Sequence, residues 1–335
     1  MDTELTELLG VDQPVVQAPI GSATCPELAA AVSDAGGLGH LAVTWRDLSE
    51  TRRAVERTRD LTDRPFAANL VIDEATTQRP TGEHLAAVLD AGAPVVSLSF
   101  GDAAPHVGRI HDAGGIALQT VGSAAEAEAA EAAGVDAVVA QGWEAGGHVQ
   151  SEVATMPLVP RVADAVGIPV ATAGGIADGR GVAAALALGA DGAWLGTRFL
   201  ATEEANAHRA YRERVADADE TETAYTDLFD KGWPGTPHRV VENETVERFR
   251  AAGEPATGDR PGEDDVVARS PDGDPIERYD EALATPGVEG DVDEMALFAG
   301  QSAGLTDEIR PAGDVVADLV AETEAAVVRV AADRE

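Results

Sequence analysis

The sequence is poor in cysteine, lysine and aromatic residues. Cys25 is the only cysteine among 335 residues, which excludes an intrachain disulfide and a cysteine-rich metal site. Lys231 is the only lysine, so arginine supplies nearly all of the positive charge, and the net charge is −36. Such a surface repels nucleic acid and anionic membranes, so we expect neither as a partner. An excess of solvated carboxylates is typical of halophilic proteins, and we expect this habitat.

Long apolar runs are missing as well. No run approaches the roughly 20 residues that a membrane-spanning helix needs, and the first residues lack the basic and apolar stretches of a secretory signal. We therefore expect a cytoplasmic protein. Hydrophobic residues make up 44% of the chain, enough for a large core. The length fits one α/β barrel with an inserted segment better than two unrelated domains.

The chain alternates short β-rich runs with Ala- and Leu-rich helical patterns. Eight such βα units in about two hundred residues predict an α/β protein of the (β/α)8 TIM barrel class. An open doubly wound sheet is the alternative, but its first strand normally leads into Gly-x-Gly-x-x-Gly. Here the first strand leads into Ala18-Pro19-Ile20-Gly21, which favours the barrel. The predicted strands are 15–18, 39–43, 66–70, 95–99, 116–120, 137–140, 170–173 and 193–195.

The barrel pattern stops near residue 201. A helical stretch over 203–215 is predicted to finish the eighth unit, and residues 1–228 are assigned to the barrel. Residues 229–310 are assigned to a smaller insert or lid domain. Its part from about 232 to 290 is richer in Gly, Pro and Asp, with one predicted helix at 242–252, and a lid over the barrel mouth or a solvated surface loop both explain it. The helical pattern over 311–335 is predicted to pack on the barrel wall and complete it.

Functional groups of a TIM barrel gather at the carboxyl ends of its strands. The sixth predicted strand runs into Gln141 and, after Gly146 and Gly147, reaches His148. Glycines let the backbone pass close to a flat or anionic group, and histidine titrates nearest neutral pH. We therefore predict that His148 is a base beside a bound cofactor, with a purely structural histidine as the alternative. The other six histidines lie in helical and polar contexts, near a strand start or, like His238, in the insert, and none of these contexts indicates a functional role.

Neutral polar groups occupy other strand ends. Asn69, Gln119 and Gln141 each offer a donor and an acceptor, which suits a heteroaromatic ring. For any one amide a turn former or a buried core group is the better explanation, and it is the gathering of polar groups at several strand ends that favours a ligand. After the first strand, the backbone of Ala18, Pro19 and Ile20 is placed to line a flat ligand.

Glycines follow both of the last two strands. Gly174 and Gly175 come after the seventh strand, and Gly196 and Thr197 come after the eighth. In this fold these two loops, together with a helix N-terminus, form the usual phosphate site, and the helix here is predicted to begin near residue 179. Tight turns explain either loop alone, but glycines in both favour a phosphate. No cluster of His, Asp or Glu has metal-site spacing, so no metal is expected.

Four stretches resemble the nitronate monooxygenase family, formerly called 2-nitropropane dioxygenases: residues 17–39, 140–148, 171–208 and 299–305. The third stretch is shared with other flavin barrels, notably flavin-dependent enoyl-ACP reductases. The combination of Glu-Ala-Gly-Gly-His and Gly-Gln-Ser is more characteristic. The resemblance implies a flavoprotein with non-covalent FMN and no metal, which oxidises alkyl nitronates with dioxygen to a carbonyl compound and nitrite.

The resemblance also implies roles for single residues. Matching positions suggest that the flavin ring and ribityl chain contact Asn69, Gln119, Gln141 and Gly146. The phosphate would be held by Gly174, Gly175, Gly196 and Thr197. His148 would remove the α-proton of a nitroalkane or steady the bound nitronate. Ser302 would face the flavin, or else cap a helix.

Other functions are compatible with the same resemblance. An NAD(P)H-dependent flavin reductase, acting on a quinone or an enoyl thioester, is the nearest alternative on this barrel. A flavin-binding or metabolic-sensing protein without turnover is another class. The partners expected for the leading function are a nitronate or nitroalkane and dioxygen, and a homodimer is compatible with the sequence.

Overall fold

Eight parallel strands lie side by side in the computed structural model of the chain, which describes residues 1–73, 76 and 79–332. Their order is β1-β9-β8-β6-β5-β4-β3-β2. A bridge between Val16 and Leu38 joins the two ends, with the Gln17 amide donating to the Leu38 carbonyl at 3.0 Å. The TIM barrel prediction is therefore confirmed. These strands are β1 (Val15–Gln17), β2 (Gly39–Ala42), β3 (Phe66–Val71), β4 (Val95–Ser99), β5 (Ile116–Val121), β6 (Ala137–Gln141), β8 (Val170–Ala173) and β9 (Gly192–Leu195).

Helices separate the strands and shield them from water. Nearly every residue of the eight strands is buried, as expected for parallel strands covered on both faces. Local sequence fixes several helix starts; Asp47, for example, forms a capping box with Glu50 at the start of α3. The first eight helices are α1 (Glu4–Leu9), α2 (Pro26–Asp34), α3 (Leu48–Leu61), α4 (Thr81–Asp90), α5 (Ala104–Asp112), α6 (Ala124–Ala133), α7 (Thr155–Ala163) and α8 (Gly179–Ala187).

The predicted helix over 203–215 was wrong in its first half. The chain forms the single turn α9 (Thr197–Leu200), then irregular structure, and α10 (Arg209–Ala216). Backbone groups in between bond to distant segments instead: the Glu203 amide donates to the Arg310 carbonyl at 3.0 Å and the Asn206 amide donates to the Ala23 carbonyl at 2.9 Å. Tertiary contacts have overridden local helix propensity here.

Two small antiparallel sheets lie outside the barrel. One joins β10 (Thr223–Thr226), β11 (His238–Val241) and the two-residue strand β7 (Gly147–His148). The other contains β12 (Val266–Arg269), β13 (Pro275–Glu277) and β14 (Glu289–Gly290), and α11 (Glu244–Ala251) lies between the two in the chain. The predicted domain boundary at residues 228 and 229 stays a prediction.

The C-terminal helix α12 (Ala312–Ala332) is present and packs on α8 and α2. Val315, Val316 and Leu319 are buried on its inner face. Residues 333–335 of the predicted helix lie outside the described residues. Within the described part of the chain, no helix combines the length and the apolar character needed to cross a bilayer.

Candidate active site

A cavity of about 420 Å³ opens where the barrel strands end at their carboxyl sides. This volume lies in the range of small-molecule and cofactor sites. Its outer wall comes from three later segments, residues 231–233, 280–283 and 298–302. All but one of the predicted site residues line it: Ala18, Pro19, Ile20, Asn69, Gln141, Gly146, Gly147, His148, Gly174, Gly175, Gly196, Thr197 and Ser302.

Gln119 is the exception. Its amide Nε2 donates to the Gly101 carbonyl at 2.9 Å, and the side chain is not part of the cavity wall. The next residue, Thr120, lines the cavity instead. Neighbouring residues of a strand point to opposite faces, so the two cannot both point to the ligand.

Gln141 holds the loop that carries His148. Its Nε2 donates to the His148 carbonyl at 3.1 Å, and its Oε1 accepts from the Gln150 amide at 2.8 Å. Both functional groups of this side chain are therefore used within the protein. Asn69 is also tied down, because its Nδ2 donates to the Ser97 hydroxyl at 2.9 Å.

Two distant loops meet backbone to backbone at Gly146 and Gly300. A Cβ on Gly146 would lie 2.8 Å from the Ala299 Cα, and a Cβ on Gly300 would lie 2.7 Å from the Glu144 carbonyl oxygen. Only glycine permits this approach. The Gly300 amide also donates to the Thr197 hydroxyl at 2.9 Å. The Glu-Ala-Gly-Gly-His motif, the Gly-Gln-Ser motif and the loop after β9 thus meet at one point.

The glycines of the two predicted phosphate loops have different reasons to be glycine. Gly174 and Gly175 have φ angles of +105° and +72°, which other residues rarely adopt. Gly196 has φ −102°, and a Cβ there would meet only the Ala18 Cβ, at an ordinary 3.6 Å. Neither conformation nor protein packing therefore requires glycine at 196, and its missing side chain leaves room inside the cavity.

The N-terminus of α8 is not available to an anion, contrary to the expectation from sequence. The Gly179 amide donates to the Glu322 carboxylate of α12 at 2.8 Å, and the Gly181 amide donates to the Asp178 carboxylate at 3.0 Å. Two carboxylates already occupy this helix end. The phosphate site predicted from sequence would therefore have only the backbone of the loops after β8 and β9.

His148 lies in an aromatic enclosure at the cavity wall. Its ring stacks on Trp233 with 4.1 Å between centroids, and Phe298 and Phe100 lie at 5.5 and 6.4 Å. Its Nε2 is buried without a hydrogen-bond partner among the described residues. Burial lowers the pKa of His148 to about 3, so the imidazole is uncharged at neutral pH.

Glu281 lies beside His148 in the cavity wall and was not predicted from sequence. Its Oε2 lies 3.6 Å from the His148 Nε2, a separation that would permit an ion pair. Burial, with a smaller contribution from Asp280, raises the pKa of Glu281 to about 7. Both shifts favour the neutral forms, because burial penalises the charged form of each group.

His238 supports His148 from behind. The two residues face each other in the β7–β11 pairing, with 5.4 Å between ring centroids. The Nδ1 of His238 donates to the Thr236 carbonyl at 3.2 Å, and its Nε2 accepts from the Phe229 amide at 3.2 Å. This arrangement fixes a neutral tautomer. His238 therefore packs directly against a residue of the cavity wall, although its sequence context gave no sign of this.

Comparison with known proteins places this geometry in a family. The model of the nitronate monooxygenase family matches residues 2–322. The chain belongs to the nitronate monooxygenase family. The nitronate monooxygenase of Pseudomonas aeruginosa is 34% identical to it over an alignment covering 96% of this chain and 99% of that protein. As a member of this family, the chain is a flavin-dependent oxidoreductase.

Other proteins that are similar to this chain have different names. A Mycobacterium tuberculosis protein named (3aS,4S,5R,7aS)-5-hydroxy-7a-methyl-1-oxo-octahydro-1H-indene-4-carboxyl-CoA dehydrogenase is 38% identical, covering 74% of this chain and 68% of that protein. The structure of FabK from Thermotoga maritima superposes with a TM-score of 0.85 at 32% identity, covering 99% of both chains. The nitronate monooxygenase family membership thus fixes the kind of enzyme more firmly than the substrate.

The uncharged state of His148 predicts a pH-dependent stability. Between pH about 3 and 6.5 the unfolded chain binds a proton at this residue that the folded chain does not, so acidification destabilises the fold. We expect the free energy of unfolding, measured with urea, to fall more between about pH 7.5 and about pH 4.5 in the wild-type protein than in the His148→Asn variant. Glu281 contributes in the opposite direction but is present in both proteins. Parallel curves for the two proteins would show that His148 is protonated in the folded state.

Proposed function

We propose that this enzyme binds FMN without a covalent bond across the mouth of the barrel and oxidises alkyl nitronates with dioxygen to a carbonyl compound and nitrite. One observation carries the proposal. The uncharged imidazole of His148, whose Nε2 has no hydrogen-bond partner among the described residues, lines the same cavity as glycine loops that leave space for a ligand. FMN supplies the redox chemistry when bound, while the protein holds it and orients the substrate.

The residues present fit a flavin phosphate held by backbone amides. Gly174, Gly175, Gly196 and Thr197 line one part of the cavity, and an added methyl group at Gly196 would project into that part. Among the described residues that line the cavity, Lys231 is the only cationic side chain; it pairs with Glu277 and donates to the Glu263 carbonyl at 2.8 Å. Loop backbone is thus the available partner for the phosphate.

Two further features fit an isoalloxazine ring beside His148. Ala18, Pro19, Ile20, Gly146 and Gly147 offer a wall of small side chains and backbone. Ser302 is buried in the cavity wall within the 3₁₀ turn Gln301–Leu305, whose N-cap is Gly300. Ser302 is therefore not the capping residue of this turn, which supports a role facing the ligand.

The environment of His148 favours one of its two proposed roles. An imidazole with a pKa of about 3 is a weak base for an α-proton, but as a neutral ring it can donate one hydrogen bond from Nε2. A nitronate carries its negative charge largely on the nitro oxygens. We therefore assign His148 the role of steadying the bound nitronate.

A flavin reductase that takes hydride from NAD(P)H is the second candidate. The 0.85 TM-score to FabK and the 38% identity to a protein named as a CoA dehydrogenase favour it. The charges of the cavity wall weigh against it, because they are one paired lysine and two acidic side chains, Asp280 and Glu281. Phosphorylated donors are commonly recognised by arginine or lysine.

Oxygen consumption separates these two functions. With FMN-reconstituted protein and propyl-2-nitronate, we expect oxygen uptake together with nitrite and acetone formation. With NADPH and a quinone, we expect turnover at least about tenfold slower in kcat/KM, a barrier difference of about 1.4 kcal/mol. Fast NADPH oxidation together with no oxygen uptake on nitronate would assign the chain to the reductase class.

Gly196→Ala tests the phosphate cradle. The added methyl group meets no backbone obstacle but fills ligand space, so we expect at least about tenfold weaker FMN binding with near-normal folding. Gly108→Ala is a matched control, because Gly108 is exposed in α5 and a Cβ there meets no atom within 4 Å. Fluorescence titration of the apoprotein with FMN measures both. Equal FMN affinity in the two variants would remove Gly196 from the flavin site.

A further inference from the structure

Aromatic residues are scarce in this chain but gather around the candidate active site. They make up only 4% of the sequence, yet three of the four tryptophans line the cavity: Trp45, Trp194 and Trp233. Trp194 belongs to β9 and is part of the barrel core. Trp45 and Trp233 come from loops outside the barrel strands, as does Phe100, and we call these three residues the aromatic cluster.

Trp233 is the centre of the aromatic cluster. Its ring stacks on His148 with 4.1 Å between centroids, meets Phe100 edge to face at 4.7 Å and is inclined by 50° to Trp45 at 5.9 Å. Its indole Nε1 donates to the Asp73 carboxylate at 3.3 Å, which fixes the ring plane. Inclined and edge-to-face pairs at such distances are favourable for aromatic rings. The cluster thus forms a continuous apolar surface from His148 to Trp45.

The backbone holds the two outer rings in place. Phe100 has a φ angle of +58°, and its amide donates to the Gln150 Oε1 at 3.3 Å. Left-handed backbone is costly for a bulky residue and is concentrated at functional sites. Next to Trp45, the Arg46 guanidinium donates to the Thr24 carbonyl at 2.9 Å. Both rings are therefore positioned by the protein before a ligand binds.

Trp45 presents an open apolar surface at the cavity. Its side chain lines the cavity and is still 43% exposed, and a large apolar side chain exposed beside a cavity is typical of a binding surface. Phe100 follows β4, which lies opposite β9 in the eight-stranded ring. The aromatic cluster and the loop of Gly196 after β9 therefore lie on different sides of the cavity, and a phosphate at that loop leaves the cluster free.

We propose that the aromatic cluster binds a flat aromatic group carried by the nitronate, so that the substrates of this enzyme are arylalkyl nitronates. This assignment rests on the proposed function, because it names the class of nitronate that is oxidised. With the nitronate group at His148, the substituent reaches Trp233 and then the open side of Trp45. Of the described side chains in the wall only Lys231 is cationic, and Glu277 engages it, so a second anionic group finds no partner and the substituent is uncharged.

Binding of carboxylates tests the aromatic cluster without turnover, because a carboxylate shares the planar shape and the charge of a nitronate group. In calorimetric titrations of the FMN-bound protein, 3-phenylpropionate should bind at least about tenfold more tightly than propionate, since its ring buries apolar area. It should also bind about threefold more tightly than 3-cyclohexylpropionate, because only a flat ring stacks on Trp45. Propionate or 3-cyclohexylpropionate binding as tightly as 3-phenylpropionate would overturn the proposal.

Trp45→Ala removes the open ring from the aromatic cluster. It should weaken 3-phenylpropionate binding at least about tenfold and leave propionate binding within about twofold, because only the longer ligand reaches this position. Trp45→Phe, which keeps an aromatic ring, should restore part of the affinity. Met156→Ala is the matched control, since Met156 is 73% exposed in α7 and lies outside the cavity wall, and it should bind both ligands like the wild-type protein. Equal loss of both ligands in Trp45→Ala would contradict the assignment.

Oxygen uptake separates this proposal from the proposed oxidation. The nitronate of 1-nitro-2-phenylethane should be oxidised with a kcat/KM at least about tenfold above that of ethyl nitronate, and Trp45→Ala should remove most of this difference. If 3-phenylpropionate binding depends on Trp45 but no nitronate consumes oxygen, the proposed oxidation is wrong and the aromatic site stands. If both nitronates are oxidised with equal kcat/KM and Trp45→Ala affects them equally, the oxidation stands and the aromatic site is wrong.

Discussion

The site depends on the close approach of two backbone segments at Gly146 and Gly300. This contact presses the loop that carries His148 against the segment that carries Phe298 and Ser302, and the Gly300 amide continues it to Thr197 after β9. A side chain at either glycine would separate the two segments. The barrel alone supplies the floor of the cavity, and this contact adds the part of its outer wall that carries Phe298 and Ser302.

That outer wall controls the electrostatics. Trp233 and Phe298 exclude water from His148, and the same burial acts on Glu281. Desolvation moves the two pKa values in opposite directions, away from an ion pair and toward two neutral groups. A chain with a net charge of −36 thus keeps most of its charge outside the cavity.

Local sequence was sufficient for the barrel and for half of the site. The βα alternation and the glycines after strands are short-range signals, and they located the eight strands, His148 and the loops at Gly174 and Gly196. Glu281, Trp233 and His238 were missed because they lie in a polar region without periodicity, and long-range contacts place them. His238 pairs with His148 in the β7–β11 register, and a Lys231–Asp280 bridge holds the segments of Trp233 and Glu281 side by side. Gln119 shows a different limit, since a one-residue step along a strand reverses the side-chain direction.

The most direct test of the account is the absorbance spectrum of the FMN-bound protein after anaerobic mixing with propyl-2-nitronate. The account predicts that the visible flavin absorbance changes on mixing, because the nitronate passes electrons to the flavin, and that the original spectrum returns when oxygen is admitted. An unchanged spectrum, from a protein that has retained FMN, would contradict the assignment of nitronate as the substrate held beside His148.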